Sequence, residues 1–294
     1  MIQVARPTFS WSPWSAIEEA WTSKGERAPG LYRIRDQASP EILYIGQTGT
    51  SLRLRLGHLK SVYTSSEMPY NDPHTVGPAL WAFTQQTGAR YEASVCPLDG
   101  IDSITRKGLE CLAISQYRLE FGHSPRFNFG RMPVGYSKSS GNNAALVAKG
   151  MRFRGGPVSD ALPCHCIGVP PVGDLAGDPQ APLWCGHAWS PWVALLKLTA
   201  PSGNGLYRLR AASDQVGGAL IYIGEGKVGS RLRQHAKTAT TDSSQGRVFA
   251  AQSLECCWVL NDEWTVNQRH ELENDLIAAH VQGLSQPPAG QFLG

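Results

Sequence analysis

The chain has no apolar run long enough to cross a bilayer, and its leading residues, MIQVARPTF, lack the basic-then-apolar layout of a secretion signal. These absences set the expectation of a cytoplasmic protein with no membrane partner. Cysteine is sparse: seven residues, an odd number unevenly spread, argue against a disulfide framework and for a reducing compartment. A net charge of only +3 gives no bulk-charge argument for a nucleic-acid partner. Charged residues are just 17% of the chain against 41% hydrophobic, which excludes a disordered polymer, and 294 residues suffice for two domains of ordinary size. Acid is missing locally as well. From Phe121 to Ser159 there is no Asp or Glu, while Arg126, Arg131, Lys138, Lys149, Arg152 and Arg154 all fall there. Such a stretch can track a phosphate backbone, and a solvated basic linker accounts for it equally well.

What is present is a repeat. Trp11-Ser12-Pro13-Trp14 recurs as Trp189-Ser190-Pro191-Trp192, Gly30-Leu31-Tyr32-Arg33 as Gly205-Leu206-Tyr207-Arg208, and Tyr44-Ile45-Gly46 as Tyr222-Ile223-Gly224. An Arg-rich segment ending in His58 matches one ending in His235, Leu109-Glu110 matches Leu272-Glu273, and Pro125 matches Pro288. Ordered matches of this kind mean duplication. The organisation read from them is a first copy over 1–135, a basic linker rich in Gly, Pro, Ser and Asn over 136–188, and a second copy over 189–294. The His-to-Glu stretch is longer in the first copy, which places an insertion around Met68 to Gly77.

Periodicity orders the elements. Gly30 to Arg35 and Glu41 to Ile45 read as a hairpin, and Ser51 to Tyr63 as a helix with Leu52, Leu56 and Leu59 at helical spacing. Pro78 to Gln86 reads as a short helix, Arg90 to Cys96 as a strand, and Asp102-Ser103 caps a long helix to Phe121. The second copy repeats the order, with a helix at Ser230 to Lys237, a strand at Leu254 to Leu260 and a helix at Val266 to His280. The expected class is α+β, a small sheet flanked by helices in each copy. The two Trp-Ser-Pro-Trp segments read as packing plugs at the domain entrance.

Two phenols on adjacent strands, Tyr32 and Tyr44, an Arg (Arg53 or Arg55) and His58 on the next helix, and Glu110 on a later one form a set suited to cutting a phosphodiester. A carboxylate can hold one Mg²⁺, a guanidinium fork meets phosphate oxygens, and a Tyr or His can take a proton from attacking water. Taken singly, each residue could be an ordinary strand aromatic, helix-surface histidine or ion-pair carboxylate.

The ordered set resembles the GIY-YIG nuclease family, with Gly30-Leu31-Tyr32 and Tyr44-Ile45-Gly46 in the motif positions and Asn128 where the family places its late Asn. The resemblance covers roughly 28–130 and 203–294. It implies a central three-stranded antiparallel sheet per copy, one Mg²⁺ or Mn²⁺ on the Glu, and hydrolysis of DNA to 5′-phosphate and 3′-hydroxyl ends. It further implies Tyr32 as general base, Tyr44 as its partner at the scissile phosphate, Glu110 as metal ligand, His58 as orienting or relaying group, and Asn128 in support. Register favours Arg55 over Arg53, because Arg55-Leu56 matches Arg231-Leu232. In the second copy the corresponding residues are Tyr207, Tyr222, Arg231, His235 and Glu273, with Gln291 in place of the Asn. Glu271 is a further carboxylate, but the register with Leu109-Glu110 selects Glu273.

Between the copies, Cys164-His165-Cys166 and Cys185-Gly186-His187 bracket a Pro- and Gly-rich loop. Cys164, Cys166, Cys185 and His187 could close a tetrahedral structural Zn²⁺ site, or the thiols could simply be buried. Cys96, Cys111, Cys256 and Cys257 read as core. The functional expectation is a metal-dependent endonuclease on double-stranded DNA, of restriction, defence or mobile-element type, with a homodimer as one way to reach both strands. The alternatives are a second copy that only recognises DNA or a modified base, and a non-catalytic nucleic-acid-binding protein.

Overall fold

The structure, a computed structural model, describes residues 8–18, 27–62, 64–70, 75–141, 144–159, 167–212 and 218–293. Its strands are β1 (Ser15–Ala16), β2 (Gly30–Asp36), β3 (Ile42–Thr48), β4 (Tyr91–Pro97), β5 (Tyr136–Ser137), β6 (Gly156–Pro157), β7 (Leu183–Trp184), β8 (His187–Ala188), β9 (Val193–Ala194), β10 (Asn204–Ala211), β11 (Tyr222–Lys227) and β12 (Leu254–Leu260). Its helices are α1 (Leu52–Lys60), α2 (Gly77–Thr87), α3 (Ser103–Phe121), α4 (Ala144–Ala148), α5 (Val228–Thr238), α6 (Ser244–Ala250) and α7 (Val266–Leu284). This is the expected α+β class. No described helix is long and apolar enough to cross a membrane.

Each copy builds one antiparallel sheet, in the order β1-β4-β2-β3 and β11-β10-β12-β9. The expected three strands are there, and each sheet gains a fourth of two residues, directly after the Trp-Ser-Pro-Trp segment. The serine of that segment fastens it. Ser12 donates its N–H to Val95 C=O at 2.8 Å and accepts the Val95 N–H on Oγ at 3.0 Å. Ser190 treats Trp258 identically, at 2.9 and 3.1 Å. The tryptophans then sandwich strand arginines: Arg33 lies 4.7 Å from both Trp11 and Trp14, and Arg208 lies 4.2 Å from Trp189 and 4.9 Å from Trp192. Stacking a planar guanidinium on indoles buries its charge against a ring face. The plug reading of this segment therefore holds.

The residues group into two compact units that cross the boundaries of the repeat: 9–101 with 125–167, and 102–124 with 168–294. In the first, Leu52, Leu56 and Leu59 put one helical stripe of α1 into a core with Tyr32, Ile34, Leu80, Tyr91 and Phe127. In the second, Val228 and Leu232 of α5 pack with Tyr207, Leu209, Ile221, Phe249 and Cys256.

The second unit also contains α3, the last helix of the first copy, packed on its own counterpart α7. Asp102 caps α3 through Ile104 and Thr105, and Thr265 caps α7 in a capping box with Gln268. Arg118 meets Glu271 and Asp275 near one end of the helix pair, Asn274 donates to Cys111 C=O in the middle, and Gly108 faces Val281 at the other, so the helices run antiparallel. Fully buried Arg118 grips Asp275 bidentately at 2.9 Å, and Glu271 takes the Val169 N–H at 2.8 Å. Removing one partner from such a network strands a buried charge, which costs about 3–5 kcal/mol.

Candidate active site

β2 pairs with β3 so that Tyr32 faces Gly46 and Ile34 faces Tyr44; β10 and β11 repeat this with Tyr207 opposite Gly224 and Leu209 opposite Tyr222. The two tyrosines of each hairpin are thus diagonal neighbours on one sheet face. Ring centroids stand 5.9 Å apart for Tyr32 and Tyr44, and 6.1 Å apart for Tyr207 and Tyr222. Both rings lean over the glycine between them. A Cβ on Gly46 would come within 3.0 Å of the Tyr32 ring, and one on Gly224 within 2.8 Å of Tyr222 while striking the Tyr207 hydroxyl. Gly30 and Gly205 are small for a different reason: a Cβ there would strike the carbonyls of Cys96 and Val259 on the neighbouring strand.

The late amide is bonded to this hairpin. Buried Asn128 accepts the Ile45 N–H on Oδ1 at 3.0 Å and donates Nδ2 to the Ile45 carbonyl at 2.8 Å, standing in for a paired strand along β3. Gln291 does the same for β11, accepting the Ile223 N–H at 3.1 Å. The extra methylene still reaches the N–H but makes no return bond to the carbonyl. The tails around these amides also match, with Phe127 N–H on Leu43 C=O and Gly290 N–H on Ile221 C=O, both at 2.7 Å.

The helix after the hairpin fixes register between the copies. Leu52 N–H bonds Ala28 C=O and Val228 N–H bonds Gly203 C=O, each at 3.0 Å and each two residues ahead of the motif glycine. Leu56 then matches Leu232 and Arg55 matches Arg231, whereas Arg53 matches Gly229. His58 falls opposite Gln234, and the position of His235 is held in the first copy by buried Leu59. This corrects the expected His58–His235 equivalence. The first copy carries one residue fewer between the Arg and the His, so His58 sits on the exposed face of α1 and His235 on the buried face of α5.

His235 places Nε2 at 2.8 Å from the Tyr207 hydroxyl, and its ring centroid lies 4.6 Å from that of Tyr222. Its Nδ1 is buried with no hydrogen-bond partner among the described residues. Burial, with the Arg231 cation adding to it, pushes the imidazole down to about 4, so it is neutral at pH 7. Burial likewise drives the Tyr207 phenol well above its ordinary range, reinforced by Tyr222 and opposed by Arg231. The Arg231 guanidinium sits beside both phenols, and their charge coupling raises its own affinity for a proton.

Glu273 completes the group from α7. Burial raises its carboxyl to about 7, the Glu225 carboxylate adds to the rise, and His270 and Arg231 oppose it. Glu225, directly after Tyr222-Ile223-Gly224, is the residue that sequence reading missed. It is anchored by Arg269 at 2.8 Å and lies 3.5 Å from His270, and these partners hold it below the usual carboxylate range despite its burial. Its signal in the sequence was an acid where the first copy has Gln47. Glu271 is taken up by Arg118 and Val169. Glu110 stands on α3 at the position, counted from the helix cap, that Glu273 occupies on α7, and so belongs to the compact unit of the second copy. Buried Cys111 feels both carboxylates, which together with burial raise its thiol. The arrangement brings Tyr207, Tyr222, Arg231, His235 and Glu273 together in one unit; in the other it brings Tyr32, Tyr44 and Asn128 to one hairpin.

Of the four residues read as zinc ligands, Cys164 and Cys166 lie outside the described residues. Cys185 and His187 belong to the β7–β8 hairpin, whose two-residue turn is Cys185-Gly186, both at positive φ, 50° and 72°. His187 is buried edge-on between Trp189 and Trp264, and burial together with Arg208 pushes it down to about 4. Burial also raises the Cys185 thiol. Cys96, Cys111, Cys256 and Cys257 are buried and free, as a core reading requires. Compared with protein-family models, with curated proteins and with solved structures, the chain gives no match.

Proposed function

We propose that this chain is a metal-dependent nuclease of the GIY-YIG type, acting on double-stranded DNA, and that the second copy carries a working site. One observation supports this most strongly: a neutral, buried imidazole bonded at 2.8 Å to a phenol whose neighbours are a second phenol, an arginine and a carboxylate.

The residues divide the work as follows. Tyr207 would take a proton from the attacking water and pass its own to His235 Nε2, through the bond already in place; burial opposes that transfer by raising the phenol and lowering the imidazole, and the Arg231 cation beside the phenol works against the first of these. Arg231 presents its planar fork to the phosphate oxygens as charge builds on them, and Tyr222 orients the same group. Gln291 and Gly224 hold β11 where the two phenols converge. Among the described residues no three His, Cys, Asp or Glu side chains converge as a ready-made metal cage. A cation here would rest on Glu273, whose desolvated carboxyl stands to gain from one, with phosphate and water completing the shell. Bound there, Mg²⁺ or Mn²⁺ would neutralise charge developing on the phosphate. In the first copy Tyr32, Tyr44 and Arg55 would serve in the same roles, with Tyr32 giving its proton directly to water because Leu59 stands where the second copy has its buried histidine. Cys185 and His187 would supply half of a structural Zn²⁺ site, the imidazole already in its neutral, ligating form.

The test is Tyr207→Phe, which removes one hydroxyl and almost no volume. Duplex binding should persist while the second site slows by about a hundredfold or more, the usual scale for losing a general base, so that supercoiled plasmid yields nicked circles in place of linear product. Cleavage at the wild-type rate would remove Tyr207 from the chemistry.

A further inference from the structure

The acid-free stretch has a structure of its own within the unit of the first copy. β5 and β6 pair as a short ribbon, with Tyr136 opposite Pro157 and Ser137 opposite Gly156. The pairing extends inward, where Ser140 N–H bonds the Phe153 carbonyl at 3.0 Å and Phe153 N–H returns to Ser140 Oγ at 2.9 Å. The described residues between the arms include α4, closed by a left-handed Gly150. There Gly150 N–H bonds Val147 C=O and Met151 N–H bonds Leu146 C=O, both at 3.0 Å, a Schellman ending that fixes where Met151 emerges.

Past this ending the side chains alternate. Arg152 lays its guanidinium 3.4 Å above the Tyr70 ring, and Arg154 bonds the Met68 carbonyl and pairs with Glu67 at 3.1 Å, so these two tie the segment down. Met151 and Phe153 are 58% and 59% exposed, and Val147 is 48% exposed. Folding places three large apolar side chains in solvent on an ordered scaffold, flanked by exposed Lys138 and Lys149, which make no ion pair among the described residues. Among the described residues, Glu67 is the acid that pairs with this cluster.

We propose that this ribbon and its short helix form a DNA-docking surface separate from the catalytic residues. Lys138 and Lys149 lie on phosphates, while Met151 and Phe153 press into a groove against base edges. Charge complementarity selects the partner: apolar side chains set among unpaired cations suit a polyanion that also offers apolar surface, as a duplex does when a Met or Phe wedges at a base step. The inference rests on the nuclease reading only in naming DNA as the polyanion.

The experiment is fluorescence anisotropy of a labelled duplex with the full chain in EDTA, titrated with salt, so that cleavage plays no part in the readout. Lys138→Ala combined with Lys149→Ala should reduce the slope of log affinity against log salt by about 1.8, weakening binding roughly thirtyfold at 0.15 M salt if each lysine covers one phosphate. Met151→Ser with Phe153→Ser should weaken binding without moving the slope, and Arg replacing both lysines should restore it. Both pairs of positions are exposed, so circular dichroism should show an unchanged fold. Affinity and slope unchanged in both variants would overturn the proposal, as would failure of the wild-type chain to bind duplex at all. A chain that binds through these side chains but cuts nothing sinks the nuclease reading and leaves this one standing; a chain that cuts without needing them does the reverse.

Discussion

Replacing His235 with leucine, the residue the first copy has at this position, separates function from stability. The substitution removes a buried Nδ1 that has no partner among the described residues, whose desolvation costs about 1–3 kcal/mol, and gives up the Tyr207 bond, which contributes about 1 kcal/mol. Tyr207 keeps Arg231 beside it, and leucine suits the surroundings of Leu232 and Phe249. At pH 7.5 the variant should therefore equal or exceed the wild type by about 1 kcal/mol in urea unfolding. Its pH dependence should differ more. The folded imidazole titrates near 4 and the unfolded one near 6.5, so the unfolded state takes up protons first as pH falls. This residue's contribution is present above pH 6.5 and lost on acidification; at pH 4.5 the loss amounts to about 2–3 kcal/mol. His187, depressed in the same way, acts equally in both proteins and cancels from the difference. The variant should thus lose about 2–3 kcal/mol less than the wild type between pH 7.5 and pH 4.5, while its second site slows and nicked circles accumulate ahead of linear product. Equal acid losses in the two proteins would refute the burial argument, and undiminished cleavage would refute the proton relay.

Two further outcomes follow from the same geometry. Gly224→Ala drives a methyl into the Tyr207 hydroxyl and the Tyr222 ring, and should cost about 1–3 kcal/mol in unfolding free energy while replacing linear product with nicked circles; a stable variant that still linearises plasmid would contradict the close approach. Elemental analysis of metal-replete protein should find about one zinc per chain, since one set of four ligands closes one tetrahedral site, and none at all would end that reading.

The hairpins, the two long helices and their caps were legible because local chemistry dictates them: Asp102 and Thr265 precede apolar periodicity, and both tyrosine–glycine motifs alternate on strands. The four-stranded sheets were not, because the bonds of Ser12 and Ser190 to Val95 and Trp258 join segments far apart in sequence. Within the site, His58 was misread by matching residue types rather than faces. The spacing Leu52-Leu56-Leu59 against Val228-Leu232-His235 would have shown that the second copy turns its histidine inward. Nothing in the local sequence marks Arg118 and Asp275 for burial, which comes from the packing of α3 on α7.

The most direct test of the whole account compares wild type, Glu110→Ala, Glu273→Ala and the double variant on supercoiled plasmid with Mg²⁺ or Mn²⁺. A single site with one cation position cuts one strand per engagement, and a tandem copy supplies the second at high effective concentration. The account predicts linear product from the wild type, nicked circles from Glu273→Ala, and no cleavage from the double variant, each with an intact fold. Cleavage by the double variant at the wild-type rate would contradict the central claim.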